Sequence, residues 1–284
     1  MSPSSTIISL TTDFGLEDWF VGTMKGVILD INPGARLIDI THTIPPGNIR
    51  AGAFALAASY RFFPKGSVHL AVVDPGVGSQ RRALAVQTEN YFFVGPDNGL
   101  LSWALRQEKV RAIHALQNPS YFLRSVSATF HGRDIFAPVA AHLSRGLGIG
   151  QVGPSLNRLE RIPWPEPRRG SQAIEGEVVY VDRFGNAITN IPGQYLSNLV
   201  KRKVSVCLGG RRLCGLGPYY QASPPGTPIA VFGSSGFLEI AINGANAAQQ
   251  FGIQPGQPVG LLLTGSDSKQ PPPKRQTEKW RTET

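Results

Sequence analysis

The chain has 284 residues, enough for about two domains of roughly 150 residues that need neither disulfides nor metal to hold a core. Hydrophobic residues make up 41% and charged residues 17%, while glycine (32) and proline (23) together reach roughly one-fifth; fibre, coiled coil and disordered polypeptide are excluded. The formal charge of +9 comes from scattered cations and short clusters such as Arg81-Arg82, Arg168-Arg169 and Lys201-Arg202-Lys203, without interleaved aromatics, which reads as solubility and a taste for carboxylate-bearing substrates, not as a nucleic-acid footprint.

Taken in order, Ile7–Thr11 reads as a buried strand and Trp19–Ile31 as a helix closed by Asn32-Pro33-Gly34. Ala35–Ile40 is strand-like, and Asn48–Tyr60 is an Ala-rich helix with Asn48 as its cap. Strands follow at Val68–Val73, Ala83–Gln87 and Tyr91–Gly95, then a helix near Leu100–Arg106, a strand at Val110–Ala115 and an amphipathic helix at Arg133–Arg145. Strand and helix in alternation predict an N-terminal α/β domain, residues 1–165, with a largely parallel central sheet. Residues 146–170, rich in Gly, Pro and Arg, read as a linker. Beyond it lie short strands at Ala173–Asp182, Lys203–Leu208, Ile229–Phe232, Phe237–Ile242 and Val259–Leu263, with one helical piece at Ala245–Phe251. These predict a small antiparallel β-barrel or sandwich, residues 172–264, followed by a disordered polar tail, 265–284. No apolar run approaches the ~18 residues of a membrane span. The N-terminus lacks the pattern of a secretory signal, and Cys207 and Cys214 suit neither a disulfide framework nor zinc, so a cytoplasmic location is expected.

Five polar segments fall at the ends of predicted strands, where open α/β sheets bind ligands: Thr11–Gly15, Thr41–Gly47, Asp74–Gly78, Pro96–Gly99 and Thr129–Asp134. Each alone is an ordinary turn sequence. Together with VDRFGNAITNI and SSGFLEIAINGANAA, the stretches TTDFGLEDWFVGTMKGVI, IDITHTIPPGNIRAGAFAL, HLAVVDPGVGSQRRALAV, PDNGLLSWA and TFHGRDIFAPVAAHLS resemble the S-adenosylmethionine (SAM) hydroxide adenosyltransferase family. These SAM hydrolases are relatives of the fluorinating and chlorinating SAM enzymes. The resemblance runs from about residue 7 to residue 263.

What it implies is displacement of methionine from C5′ of SAM by water or hydroxide, giving adenosine and L-methionine. The sulfonium leaving group is already cationic, so the site must supply a positioned oxygen nucleophile and exclude other water. The family's water-handling triad falls on Asp74, Arg81 and His131; Arg82 is the neighbouring candidate, and spacing from the aspartate favours Arg81. Asp13 matches the carboxylate that takes the ribose diol, with an Asx-turn as its structural alternative. Asp182 and Asn186 match residues that hold the methionine amine and the adenine edge, and Phe184 an aromatic wall, with barrel core as its structural alternative. Phe130 would line the ribose; Ser234 and Ser235 fall where relatives contact the amino-acid end or adenine; Glu239 has no assigned role. His69 reads as a core histidine. The family also implies a homotrimer with active sites at subunit interfaces, and no cofactor, SAM being the substrate.

Relative to the halogenating enzymes, this chain has Asp74-Pro75-Gly76-Val77-Gly78 in place of a tyrosine and threonine-rich turn, and Gly132 in place of a serine that touches halide. A carboxylate repels halide, so hydrolysis is favoured over halogenation. The rivals are a metal-dependent hydrolase using Asp13, His42, Asp74, His131 and Asp134, a nucleic-acid-binding module, and a catalytically silent SAM or adenosine binder.

Overall fold

The computed structural model describes residues 6–195 and 203–264, so the tail expected at 265–284 lies outside the described residues. The chain divides into two compact units, Met1–Pro165 and Glu166–Thr284.

In the first unit, β1 (Ile7–Thr12), β2 (Arg36–Thr41), β3 (Val68–Val72), β4 (Ala83–Thr88), β5 (Phe92–Pro96) and β6 (Val110–Ala115) form a six-stranded sheet in the order β2-β1-β3-β5-β4-β6. The β2-β1-β3-β5 portion is parallel, and β4 runs antiparallel to both of its neighbours. β1 and β3 are buried almost without interruption because both faces are covered, as continuous apolar runs require. Ile8, Leu10, Val68 and Leu70 share a core with Met24 and Ile28 of α1 (Phe20–Ile31). The alternate residues face the other side, where α2 (Ile49–Ser59) and the one-turn α3 (Ser102–Leu105) pack. There a Cβ on Gly52 would come within 2.8 Å of Leu100 Cδ1 and 3.0 Å of Val73 Cγ2, so the glycine lets α2 lie close without displacing either side chain. Asn48 caps α2 by accepting from the Ala51 amide at 3.0 Å. The final helix, α4 (Ala137–Ser144), joins the first core and is preceded by a π-helical turn, Gly132–Phe136.

Strand order reverses between β1 and β3, and this switch point opens a crevice beyond their C-terminal ends. Asp13 follows β1 and Asp74 follows β3, so topology alone brings the two carboxylates to one place.

Residues 146–164 are not a free linker. Ser155 bridges His114 of β6, the Leu156 amide donates to Ile113, and Trp103 Nε1 donates to the Ile162 carbonyl at 3.1 Å while its ring meets that of Trp164. The apolar anchors Leu159, Ile162 and Trp164, spaced among the prolines, pin this stretch to the unit.

The second unit contains β7 (Arg168–Arg169), β8 (Ala173–Val181), β9 (Ala187–Pro192), β10 (Lys203–Leu208), β11 (Arg211–Gly215), β12 (Pro228–Phe232), β13 (Phe237–Ile242), α5 (Ala247–Phe251) and β14 (Pro258–Thr264). Its eight-stranded antiparallel sheet runs β11-β10-β14-β8-β9-β13-β12, with β7 added on β8. A bridge from Leu216 to Ala230 draws the two ends together into a nearly closed barrel. Leu238, Ile240 and Ile242 of β13 fill the barrel interior with Val178, Ala187 and Ile191, so Glu239 and Ala241 face outward. Three strands, β7, β9 and β11, were not expected: β7 falls in the stretch read as a linker. β9 carries a buried Asn190 whose Oδ1 accepts from the Glu177 amide at 2.8 Å, a polar residue that breaks the apolar pattern. β11 opens with two arginines.

The segment after β3 depends on Gly78, which adopts φ +77° with its missing Cβ only 2.3 Å from the Ala128 carbonyl oxygen. Gly78→Ala is expected to lose at least about 1–2 kcal/mol from the left-handed backbone alone. That lowers Tm by ~2–4 °C per kcal/mol. Thermal melting checks this, and an unchanged Tm would contradict it.

Candidate active site

The turn after β3 folds the chain back on itself. The Val77 amide donates to the Asp74 carbonyl, the Ser79 amide and hydroxyl donate to the Gly76 carbonyl, and the Arg81 amide donates to Ser79 Oγ. These bonds return Arg81 to Asp74. Arg81 Nε lies 2.9 Å from Asp74 Oδ1 and 3.0 Å from Oδ2, and Nη2 also donates to Oδ2. The same Nη2 donates to His131 Nδ1 at 2.9 Å. A guanidinium has no acceptor, so Nδ1 must accept and the neutral ring carries its proton on Nε2. Burial first, then the Arg81 charge, lower the His131 pKa below the ordinary imidazole value, which keeps that neutral form dominant near pH 7. His131 itself sits at the start of the π-helical turn, a local irregularity of the kind that re-aims a side chain.

Arg82 points elsewhere. Its Nε donates to Asp97 Oδ2 at 2.7 Å, and Asp97 Oδ1 accepts from the Glu160 amide. Arg81 is therefore the arginine that meets Asp74 and His131.

A cavity of about 360 Å³ opens beside this cluster, within the usual range of roughly 300–1,000 Å³ for small-molecule pockets. Asp13, Asp74, Phe130 and His131 line it, together with Phe14 and Phe20. Asp13 Oδ2 accepts from the Gly47 amide at 2.8 Å. Burial, opposed in part by that hydrogen bond, holds the Asp13 carboxyl above its ordinary value, and the Asp74 charge adds to the rise. Phe130 meets Phe14 and Phe20 edge-on, giving the cavity an aromatic wall. A Cβ on Gly132 would lie 3.1 Å from Phe130 and 3.3 Å from Met24 Sδ and Phe14, so the wall leaves little room for any side chain there.

Four of the five strand-end segments reach the cavity. The fifth, Pro96–Gly99, braces it instead: Asn98 Nδ2 donates to the Val73 carbonyl at 2.9 Å and Asp97 holds Arg82. Asp134 is fully buried and accepts from Arg133 and the Ser127 amide, fixing the loop that carries His131. His69 is a core histidine, bonded to Ser9 at 2.7 Å and pushed by burial down to about 3. Among the described residues no three His, Cys, Asp or Glu side chains gather as metal ligands.

In the second unit, Asp182 closes the β8–β9 turn. Its Oδ1 accepts from the Phe184 and Asn186 amides, and its Oδ2 accepts from Asn186 Nδ2 at 3.0 Å. Phe184, 76% exposed, is lifted onto the surface of the unit and is not barrel core. Ser234 and Ser235 occupy the β12–β13 turn; Ser234 is exposed, while Ser235 Oγ is buried without a hydrogen-bond partner among the described residues. Glu239 is buried on the outer barrel face and accepts from the Tyr220 hydroxyl at 2.7 Å, close enough to Asp182 to feel its charge. Tyr220 was missed from sequence, since nothing local marks it; the outward alternation of Phe237, Glu239 and Ala241 was the available signal for Glu239.

Comparison with known proteins bears on both units. Residues 8–153 match the SAM hydroxide adenosyltransferase N-terminal domain and residues 176–260 its C-terminal domain. The chain is 41% identical to the (R)-S-adenosyl-L-methionine hydrolase of Salinispora arenicola, over 89% of this chain and 96% of that protein. It is 25% identical to the fluorinase of an Actinoplanes species, over 89% of this chain and 96% of that protein. Among solved structures, an uncharacterized conserved protein from Thermotoga maritima superposes with a TM-score of 0.86 at 38% identity, covering 90% of this chain and 99% of that one.

Burial and the Asp182 charge raise the Glu239 pKa, with the Tyr220 hydrogen bond pulling part of the way back. The folded state thus takes up this proton at a higher pH than the unfolded chain. The resulting penalty is absent below the unfolded pKa and grows as pH rises through the folded one. Glu239→Gln is expected to raise Tm over the parent at pH 8 and to lose that advantage near pH 4. Equal shifts in melting scans at the two pH values would contradict the assignment.

Proposed function

The chain belongs to the SAM hydroxide adenosyltransferase family, and on that footing we propose that it hydrolyses SAM to adenosine and L-methionine at C5′. The observation that carries this reading is the Asp74–Arg81–His131 cluster at the wall of a nucleoside-sized cavity. A water oxygen attacks C5′, the C5′–S bond breaks with its electron pair going to sulfur, and one proton is lost from the water. Asp74 takes up that proton or its hydrogen bond. Arg81 holds Asp74 in place, and the Nε2–H of neutral His131 orients the nucleophile. The sulfonium leaves as a neutral thioether and needs no acid.

Asp13 binds the ribose diol, as an acceptor-only group beside an aromatic wall that includes Phe130. In the second unit Asp182 receives the methionine ammonium, Asn186 reads the adenine edge, Phe184 stacks on the base, and Ser234 and Ser235 contact the substrate's polar ends. The exposure of Phe184 and the unpartnered Ser235 Oγ support these roles. A homotrimer, a cytoplasmic location and the lack of any cofactor belong to the same proposal; no described helix is long and apolar enough to cross a membrane. The relatives' name specifies (R)-S-adenosyl-L-methionine, so both sulfonium epimers belong in the assay.

Halogenation is disfavoured on two counts: Asp74 presents a carboxylate to the nucleophile position, and Gly132 carries no side chain to touch a halide.

The test separates chemistry from binding. Asp74→Asn and His131→Ala are expected to lower kcat by about 10²–10⁴, the worth of a positioned proton-transfer group, with little change in KM. Asp13→Ala should instead raise KM by about 10–100-fold, the equivalent of losing charged hydrogen bonds. Equal loss of SAM affinity in all three, measured by calorimetry beside the kinetics, would contradict the assigned roles.

A further inference from the structure

The first unit holds a second cavity, of about 240 Å³, lined by Ser79, Gln80, Arg81, Arg82, Ala83, Ala115, Leu116, Gln117, His131 and Ile135. His131 lines both cavities. Arg81 lines the second while its guanidinium holds Asp74, which lines the first. The two spaces thus meet at the very side chains that handle the nucleophile. The second cavity has an exposed rim of Ser79, Gln80 and Gln117 and a buried floor of Ala83, Ala115, Leu116 and Ile135. Its two arginines are each paired, with Asp74 and with Asp97, so it offers no uncompensated cation for an anion. At roughly 30 Å³ per molecule it has room for several waters.

Hydrolysis consumes one water and releases one proton per turnover, while a bound nucleoside fills the first cavity and displaces the water there. We propose that the second cavity is a solvent vestibule, through which water reaches the Asp74–Arg81–His131 cluster and the proton leaves while substrate occupies the first cavity. This rests on the hydrolase reading and adds to it a route separate from the substrate's mouth. Water enters past Gln80 and Gln117 and passes to the Arg81–His131 partition; once C5′ has been attacked, the proton taken up by Asp74 is released to the water of the vestibule.

The rim residues do no chemistry, so they can be changed alone. Gln117→Trp, Gln80→Trp and the double variant place indoles over the rim, and Gln117→Ala widens it. The vestibule predicts that the tryptophan variants lose about five- to tenfold or more in kcat with KM for SAM and Tm retained, while Gln117→Ala keeps the parental kcat. Parental kcat in both single variants and the double variant would overturn the route, as would matching losses in Gln117→Ala and Gln117→Trp, which mark a merely structural position. The parent assayed alongside separates the two claims: a parent that yields no adenosine sinks the hydrolase reading, whereas an active parent with unaffected tryptophan variants sinks only the vestibule.

Discussion

A guanidinium withdrawn from water must keep its donors occupied, because a buried charge left without partners costs several kcal/mol. Arg81, its side chain only 11% exposed, meets that demand with a carboxylate on one side and an imidazole nitrogen on the other. Much of the first unit's local architecture serves this arrangement. The bent Asp74–Arg81 segment returns the arginine to the aspartate, and Gly78 supplies the backbone angle that lets the segment pass Ala128. The π-helical turn aims His131 back at the same guanidinium, and Arg82 is kept away by Asp97. Once Arg81 is satisfied, Asp74 is fixed in position and His131 is kept neutral, an arrangement that suits an oxygen nucleophile.

The second unit solves a different problem with the same physics. Its barrel interior is apolar along β13, and the polar residue of that strand, Glu239, faces outward. Asp182 and Asn186 lock one such turn and leave Phe184 standing out of it. Glu239 and Tyr220 sit on the outer face, where a carboxylate tolerates burial only by sharing a proton-rich neighbour. The polar groups of the candidate sites thus gather where strands end, in both units, while those within strands, such as Ser9, His69 and Asn190, are buried and hydrogen-bonded.

That confinement explains what could be read in advance. The short buried strand β1, the continuous apolar run of β3 and the Asn48 cap of α2 could be read in advance, since each depends on local chemistry. The polar strand-end segments were visible for the same reason. What escaped was set by distant partners. Strand β9 carries Asn190 inside because Glu177 satisfies it, and β11 begins with arginines because it lies at one end of the sheet path. Residues 146–164 look like a linker by composition yet are pinned by Trp103 and β6. The choice between Arg81 and Arg82 rested on spacing alone until Asp97 was seen to claim the second. Tyr220 and the vestibule beyond Arg81 arise only when the chain has folded.

The central claim is that Asp74, Arg81 and His131 direct one solvent oxygen at the sugar carbon bearing sulfur. Incubation of the protein with SAM in ¹⁸O-enriched water, followed by mass spectrometry of both products, addresses it without altering any residue. The account predicts one ¹⁸O in the 5′-hydroxyl of adenosine and none in methionine. Unlabelled adenosine, or methylthioadenosine in its place, would contradict it.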